Sequence, residues 1–391
     1  MNVATKFRLS EFQIAERDNL GRLLAVLVGV LLCVGIQMVH SASLTSRPSE
    51  QETVFLGRHL LYLAFSLLVA WRLSRCRAET LMNISGVAWW GLVILLVAVL
   101  IPGVGSRING AQRWLRMAGL SLQPSELGRI ILPLVAARNL CQSNEQGLRL
   151  SSVPGTLAPL LVVLPLVILE PDLGATVFLT LGFVLTLFLG GWPLRYFISC
   201  GLLLIPAAAS VLVLRPYQLQ RITGFMEAWK DLSSAPWQIR QSLLSLGAGG
   251  LEGSGVGGGW QKLSYLPEAN TDFVFAVIGE ELGLIGTLTV CFLWCAVLFT
   301  GQSVLRYQPR NSFAWIFGTT LLIQLVLQAM ANIAVVTALV PPKGVPHPFI
   351  SYGGTNLFVS ICAVGLILGM SRETGEMHDN PVSPECPPAR G

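Results

Sequence analysis

Four short segments hold the side chains of this sequence that could do chemistry. Segment 123–129, QPSELGR, sets Glu126 and Arg129 three residues apart on one face of a helix whose first turn suits Pro124. That spacing fits either an ion pair inside a bundle or a contact to substrate. Segment 170–176, EPDLGAT, puts Glu170 and Asp172 in a turn that allows only a tight hairpin, with Asp172 placed to cap the following helix. Segment 341–356, PPKGVPHPFISYGGTN, combines prolines with Gly353 and Gly354 into a bent, rigid entry. Ser351, Tyr352, Thr355 and Asn356 would line a polar cavity there or satisfy a broken backbone. His347 reads as a loop histidine.

The fourth segment is the long loop 215–271 and its exit. Arg240, Gln241 and Ser242 precede a glycine-rich run, 247–259, and Gln261 and Lys262 follow it. The run suits a flexible tether or a backbone that approaches a ligand closely. It lacks the sequence context of a nucleotide loop. Then comes LPEANTDF, with Glu268 and Asp272. Asp272 stands where the loop enters an apolar run. A carboxylate at that junction could take a proton from an incoming hydroxyl, and a first-turn helix acid explains the position equally well. Cations gather in the same outer regions: Arg113 and Arg116 in loop 102–122, Arg221, Arg240 and Lys262 in loop 215–271. They make a solvated face or hold an anionic lipid head group such as a diphosphate.

The elements that must position these groups lie in a membrane. The 391 residues are 53% hydrophobic and 12% charged, with a mean hydropathy of +0.64. Soluble domains carry about 25% charge, so a water-facing surface of this size would go uncovered. Runs near 23–40, 54–71, 82–101, 123–141, 155–170, 172–190, 196–214, 272–300, 313–339 and 350–370 match the length of a membrane helix. The expected fold is an all-α polytopic membrane protein of about ten transmembrane helices. Lys6, Arg8, Arg72, Arg75, Arg77, Arg138, Arg195, Arg306 and Arg310 fall on one side, which places both termini inside. The large external loop 215–271 then joins spans seven and eight. Residues 1–22 form a cytoplasmic segment, 23–371 a single transmembrane domain, and 372–391 a disordered cytoplasmic tail.

The motifs, in order, resemble those of the SEDS family (shape, elongation, division and sporulation; FtsW/RodA/SpoVE-like). MVHSAS at 38–43, FLGRHL at 55–60, NGAQRW and QPSELGR at 109–129, and EPDLGA at 170–175 each look like a family motif. So do the block from Gln241 to Gly283, which contains YLPEANTDFVFAVIGEELG, and PFISYGG at 348–354. PPKG and FAVIGEELG resemble the division branch more than the elongation branch. Asn270 stands where the family usually has His, and Arg129 replaces a lysine.

The resemblance implies a peptidoglycan glycosyltransferase that joins lipid II disaccharides into glycan strands at the outer face of the bacterial cytoplasmic (inner) membrane. The partners it implies are lipid II, the growing glycan strand, a class B penicillin-binding protein that cross-links the strands, and other divisome or elongasome membrane proteins. Nucleic acid is not among them. Asp272 carries over as the catalytic residue, with Glu126 and Lys262 as substrate-site residues. Glu268 and Ser351 join the substrate-binding set with Arg113, Arg116, Arg221 and Arg240. The resemblance fixes no cofactor, and a divalent cation such as Mg2+ bridging the phosphates to Glu126 or Glu268 is left open. A lipid II flippase is the competing reading, since ten spans with intramembrane charge also fit a carrier. A non-catalytic scaffold is the third.

Overall fold

The computed structural model describes residues 3–43, 50–108, 111–117, 120–146, 153–202, 235–260, 268–341 and 343–375, with isolated positions between 223 and 229. Helix α1 is Val3–Ser43, α2 Glu50–Leu73, α3 Ala78–Leu100, α4 Pro124–Gln146, α5 Val153–Leu169 and α6 Leu173–Leu189. Helix α7 is Trp237–Ala248, α8 Val274–Leu305, α9 Phe313–Val336 and α10 Gly354–Ser371. Six of these (α1, α2, α3, α8, α9 and α10) are long and apolar enough to cross a membrane by length and composition. Helices α5 and α6 are apolar but shorter. The 196–214 run is described only to residue 202. No break separates residues 3–22 from the first expected span, because α1 runs through both.

The all-α expectation needs one correction. Between α3 and α4 the chain folds into a three-stranded antiparallel sheet, β1 Gly105–Ile108, β2 Ala111–Met117 and β3 Leu120–Leu122. The period-two pattern of β2 is the reason. It turns Ala111 and Leu115 inward, both buried, while Arg116 faces out. Gln112 Nε2 ties the sheet to the end of α3, donating to Val99 O (3.0 Å) and Ile101 O (3.1 Å).

Buried apolar side chains form two clusters. One joins α1, α2, α8, α9 and α10 through residues such as Leu31, Phe317 and Ile367. The other joins α3 to α6 through Leu96, Leu132, Val163 and Phe183. Helix α10 is the axis of the larger cluster: 89% of its span window is buried, against 22% for α3. Small residues permit this depth. A Cβ on Gly365 would lie 2.5 Å from Ala70 O, so α2 and α10 touch backbone to backbone there.

Helix α8 is broken at Gly283, whose φ of 65° is open to glycine at little cost. Its 32 residues would measure about 48 Å, beyond the roughly 30 Å hydrocarbon core. Residues 284–305 alone span about 33 Å. The break therefore divides a membrane-length rod from a two-turn extension that begins just after Asp272.

Candidate active site

The turn 268–273 leads into α8 and holds Asp272. Three consecutive carbonyls of this turn are bound from outside it. Asn270 O accepts from Tyr352 N (2.8 Å), Thr271 O from Ser351 Oγ, and Asp272 O from Asn332 Nδ2 (2.7 Å). The loop 337–353 and helix α9 thus hold the backbone of the turn. The N-cap of α8 is Phe273, and no acidic residue occupies its first turn. Asp272 lies outside the helix, which removes the capping explanation. Its side chain is half-buried. Its carboxylate lies against the backbone of the facing loop, since a Cβ on Gly344 would stand 2.6 Å from Asp272 Oδ2.

The hairpin turn at 170–172 lies beside the same loop. Asp172 caps α6 as the sequence suggests, accepting from Ala175 N at 2.9 Å. Its other oxygen accepts from Gln123 Nε2 (2.8 Å) and pairs with Arg113 Nη1 (3.3 Å). Lys343 reaches across from the loop and donates to Leu173 O at 3.2 Å. Burial pulls the Lys343 ammonium below the usual lysine range, against the pull of Asp172. Glu170, in the turn between the helices, is fully buried with neither carboxyl oxygen hydrogen-bonded. Burial first, then the charge of Asp172, push it up to about 8, with Arg113 opposing.

Glu126 and Arg129 form the ion pair that their spacing suggests, at 2.7 Å. Arg129 also donates to Asn356 Oδ1 (3.1 Å) and to Gln328 Oε1. Gln328 Nε2 bonds Asn356 Oδ1 (2.9 Å) and Pro346 O (2.8 Å). This buried network links α4, α9 and α10 to the loop below Asp272. Thr355 extends it, accepting from Gln123 N and donating to Ser121 O.

Other expected site residues are placed differently. Arg116 is exposed on the outer face of the sheet and Arg240 is exposed on α7. Glu268 is exposed and accepts from Thr271 Oγ1 at 2.9 Å. Ser351 is buried, donating to Thr271 O and accepting from His347 N (2.7 Å). Arg221 and Lys262 lie outside the described residues. His347 is buried between the rings of Phe275 and Trp294, and burial lowers its imidazole to about 4. Among the described residues, no three His, Cys, Asp or Glu side chains converge on a point that could hold a metal ion.

The glycine-rich run is a series of turns packed into the break of α8, where a tether was one expectation. At the break in α8, the carbonyls of Glu280 and Glu281 lose the helical N–H groups they would otherwise accept. Ser254 N and Gly255 N replace them, both at 3.0 Å. Leu284 N and Ile285 N donate instead to Gly250 O (2.9 Å) and Leu251 O (3.2 Å). All four freed groups are satisfied, as an apolar surrounding demands. The Glu281 carboxylate is sealed beneath this splice, accepting from Ser41 Oγ (2.6 and 2.8 Å) and Gly257 N (3.0 Å). Trp260 N donates to Glu280 Oε1 (2.6 Å). The MVHSAS and GEELG segments meet there.

The sequence reading missed Gln324, Gln328 and Asn332. Their signal is visible in hindsight: three amides at four-residue spacing in an otherwise apolar helix.

The FtsW/RodA/SpoVE family, described as cell cycle proteins, matches residues 22–376. A probable peptidoglycan glycosyltransferase FtsW of Legionella pneumophila is 37% identical over 350 residues, covering 88% of this chain and 88% of that protein. The protein of the same description from Coxiella burnetii is 38% identical over 360 residues, covering 88% and 94%. Among solved structures, a chain from a peptidoglycan synthase complex superposes with a TM-score of 0.73 at 24% identity, covering 90% of this chain and 98% of that one. The rod shape determining protein RodA of Thermus thermophilus superposes with a TM-score of 0.64 at 26% identity, covering 90% and 96%.

Proposed function

The chain belongs to the FtsW/RodA/SpoVE family of cell cycle proteins, and from that premise we propose that it is a peptidoglycan glycosyltransferase acting in cell division. It polymerises lipid II into glycan strands at the outer face of the bacterial inner membrane. Its ten spans place both termini in the cytoplasm, and a class B penicillin-binding protein cross-links the product. The observation that carries the reading is Asp272: a half-buried carboxylate at a loop–helix junction, outside the helix it precedes, on a backbone held by three outside partners.

Transfer from an anomeric diphosphate needs a base, a place for the departing charge and a fixed donor. Asp272 takes the proton of the acceptor 4-hydroxyl as that oxygen attacks the anomeric carbon. The carbon–oxygen bond to the lipid diphosphate breaks on the opposite face, so an α-linked donor gives a β-linked product. Exposed Arg116 and Arg240, with Arg221 and Lys262, receive the diphosphate. Arg113 and Glu126 are committed to protein partners, so they shape the site rather than bind the substrate. Mg2+ as a helper is tested by polymerisation in chelator against added metal. The reading itself is tested with purified protein, its class B partner and labelled lipid II. Long glycan is the expected product. Lipid equilibrated between leaflets without glycan would make the protein a carrier.

A further inference from the structure

Asn332 has two amide protons and spends them on two different segments. One goes to Asp272 O and the other to Val345 O, both at 2.7 Å. The side chain is buried. It therefore staples the turn that carries the carboxylate to the loop that carries Gly344. Those are the two surfaces that meet at the Asp272 side chain, where a Cβ on Gly344 would stand 2.6 Å from Oδ2. One turn earlier on α9, Gln328 holds Pro346 O of the same loop. Lys343 anchors the loop's other end to Leu173 O.

We propose that Asn332 is the positioning residue for Asp272, setting the gap between its carboxylate and Gly344 and hence the approach of the acceptor hydroxyl. This rests on Asp272 being the base. A reacting group displaced by about 1 Å from its aligned position loses on the order of 10²-fold in rate. Asn332 is buried and both its amide protons go to backbone carbonyls, so its loss is expected to leave substrate binding in place.

The test uses full-length protein with its class B partner and lipid II. Asn332→Leu keeps the size and removes both donors. It is expected to lower kcat by about 10- to 100-fold with KM within about twofold. Gly344→Ala leaves Asn332 intact and crowds the same carboxylate from the exposed side of the loop. It is expected to lower kcat likewise, and it decides the matter should Asn332→Leu fail to fold. Wild-type kcat in the folded Leu variant, or a loss carried by KM, overturns the proposal. If Asn332→Leu does not fold, wild-type kcat in Gly344→Ala overturns it. Failure of the underlying reading is separate: it shows as an active Asp272→Ala protein, or as a wild type that makes no glycan.

Discussion

One helix, α8, carries two acidic sites treated in opposite ways. Asp272 precedes the helix, and side chains of α9 and the 337–353 loop hold its backbone while the carboxylate stays half-buried. Glu281 lies nine residues on, about 14 Å along the axis. There, main-chain groups of the glycine run close the helix break, and the carboxylate is sealed against Ser41 and Gly257. Both regions satisfy irregular backbone next to apolar surroundings. The first does so through the backbone on either side of its acid, and the second through the acid itself. A buried carboxylate bound to a hydroxyl and a main-chain N–H at a helix break is a structural part. A carboxylate with a fixed backbone and an accessible side chain can move a proton.

Paired amide substitutions break this comparison most sharply. Asp272→Asn is expected to lower polymerisation by about 10²–10⁴-fold, the usual contribution of a positioned base, with the thermal midpoint little changed. Glu281→Gln removes the charge that Ser41 Oγ and Gly257 N bond to and is expected to cost about 1–3 kcal/mol of stability, with activity per folded molecule largely kept. Activity and melting curves on the same preparations read both. If Glu281→Gln were the inactive, stable member, the roles would be reversed.

The splice itself is tested at Gly253. Its φ is 83°, and a Cβ there would lie 2.2 Å from Glu281 O. Gly253→Ala is expected to cost about 1–3 kcal/mol for the backbone conformation alone, plus the clash. Lower yield and a lower thermal midpoint in detergent check it. A neutral effect would mean that the run does not sit in the break.

Glu170 supplies a pH signature. Below its ordinary value of about 4.5 the carboxyl is protonated in folded and unfolded chains alike. Between there and about 8 the folded chain keeps a proton that the unfolded chain has lost. Stability therefore falls as pH rises through that window. Glu170→Gln is expected to flatten that part of the midpoint-against-pH curve.

The smallest contrast lies on β2. Arg113→Ala removes the cationic partner of Asp172, beside which Gln123 and Ala175 remain, and is expected to cost about 1–3 kcal/mol. Arg116→Ala should change stability by no more than about 0.5 kcal/mol. Thermal midpoints of the two variants separate these cases.

Much of the frame was legible in the sequence because apolar runs declare membrane helices directly. The start of α4 at Pro124 and the cap by Asp172 followed from local chemistry. The inward turn of Arg113 needed the strand period of a segment taken for a plain loop. The glycine run gave no hint of its partner, because the groups it serves, at 280–285, become available only when α8 breaks. Glu126 could be a pair or a contact until Arg129, Gln328 and Asn356 were seen around it. The spacing of Gln324, Gln328 and Asn332 marks a polar stripe on α9, but the part Asn332 plays depends on the two carbonyls it faces, which the sequence does not show.

The most direct measurement is glycan chain length on gels for wild type and Asp272→Ala, each co-purified with the class B partner and given labelled lipid II. The account predicts long strands from the wild type and unconverted lipid II from the variant, at equal expression and partner recovery. Strands of wild-type length from Asp272→Ala would contradict it.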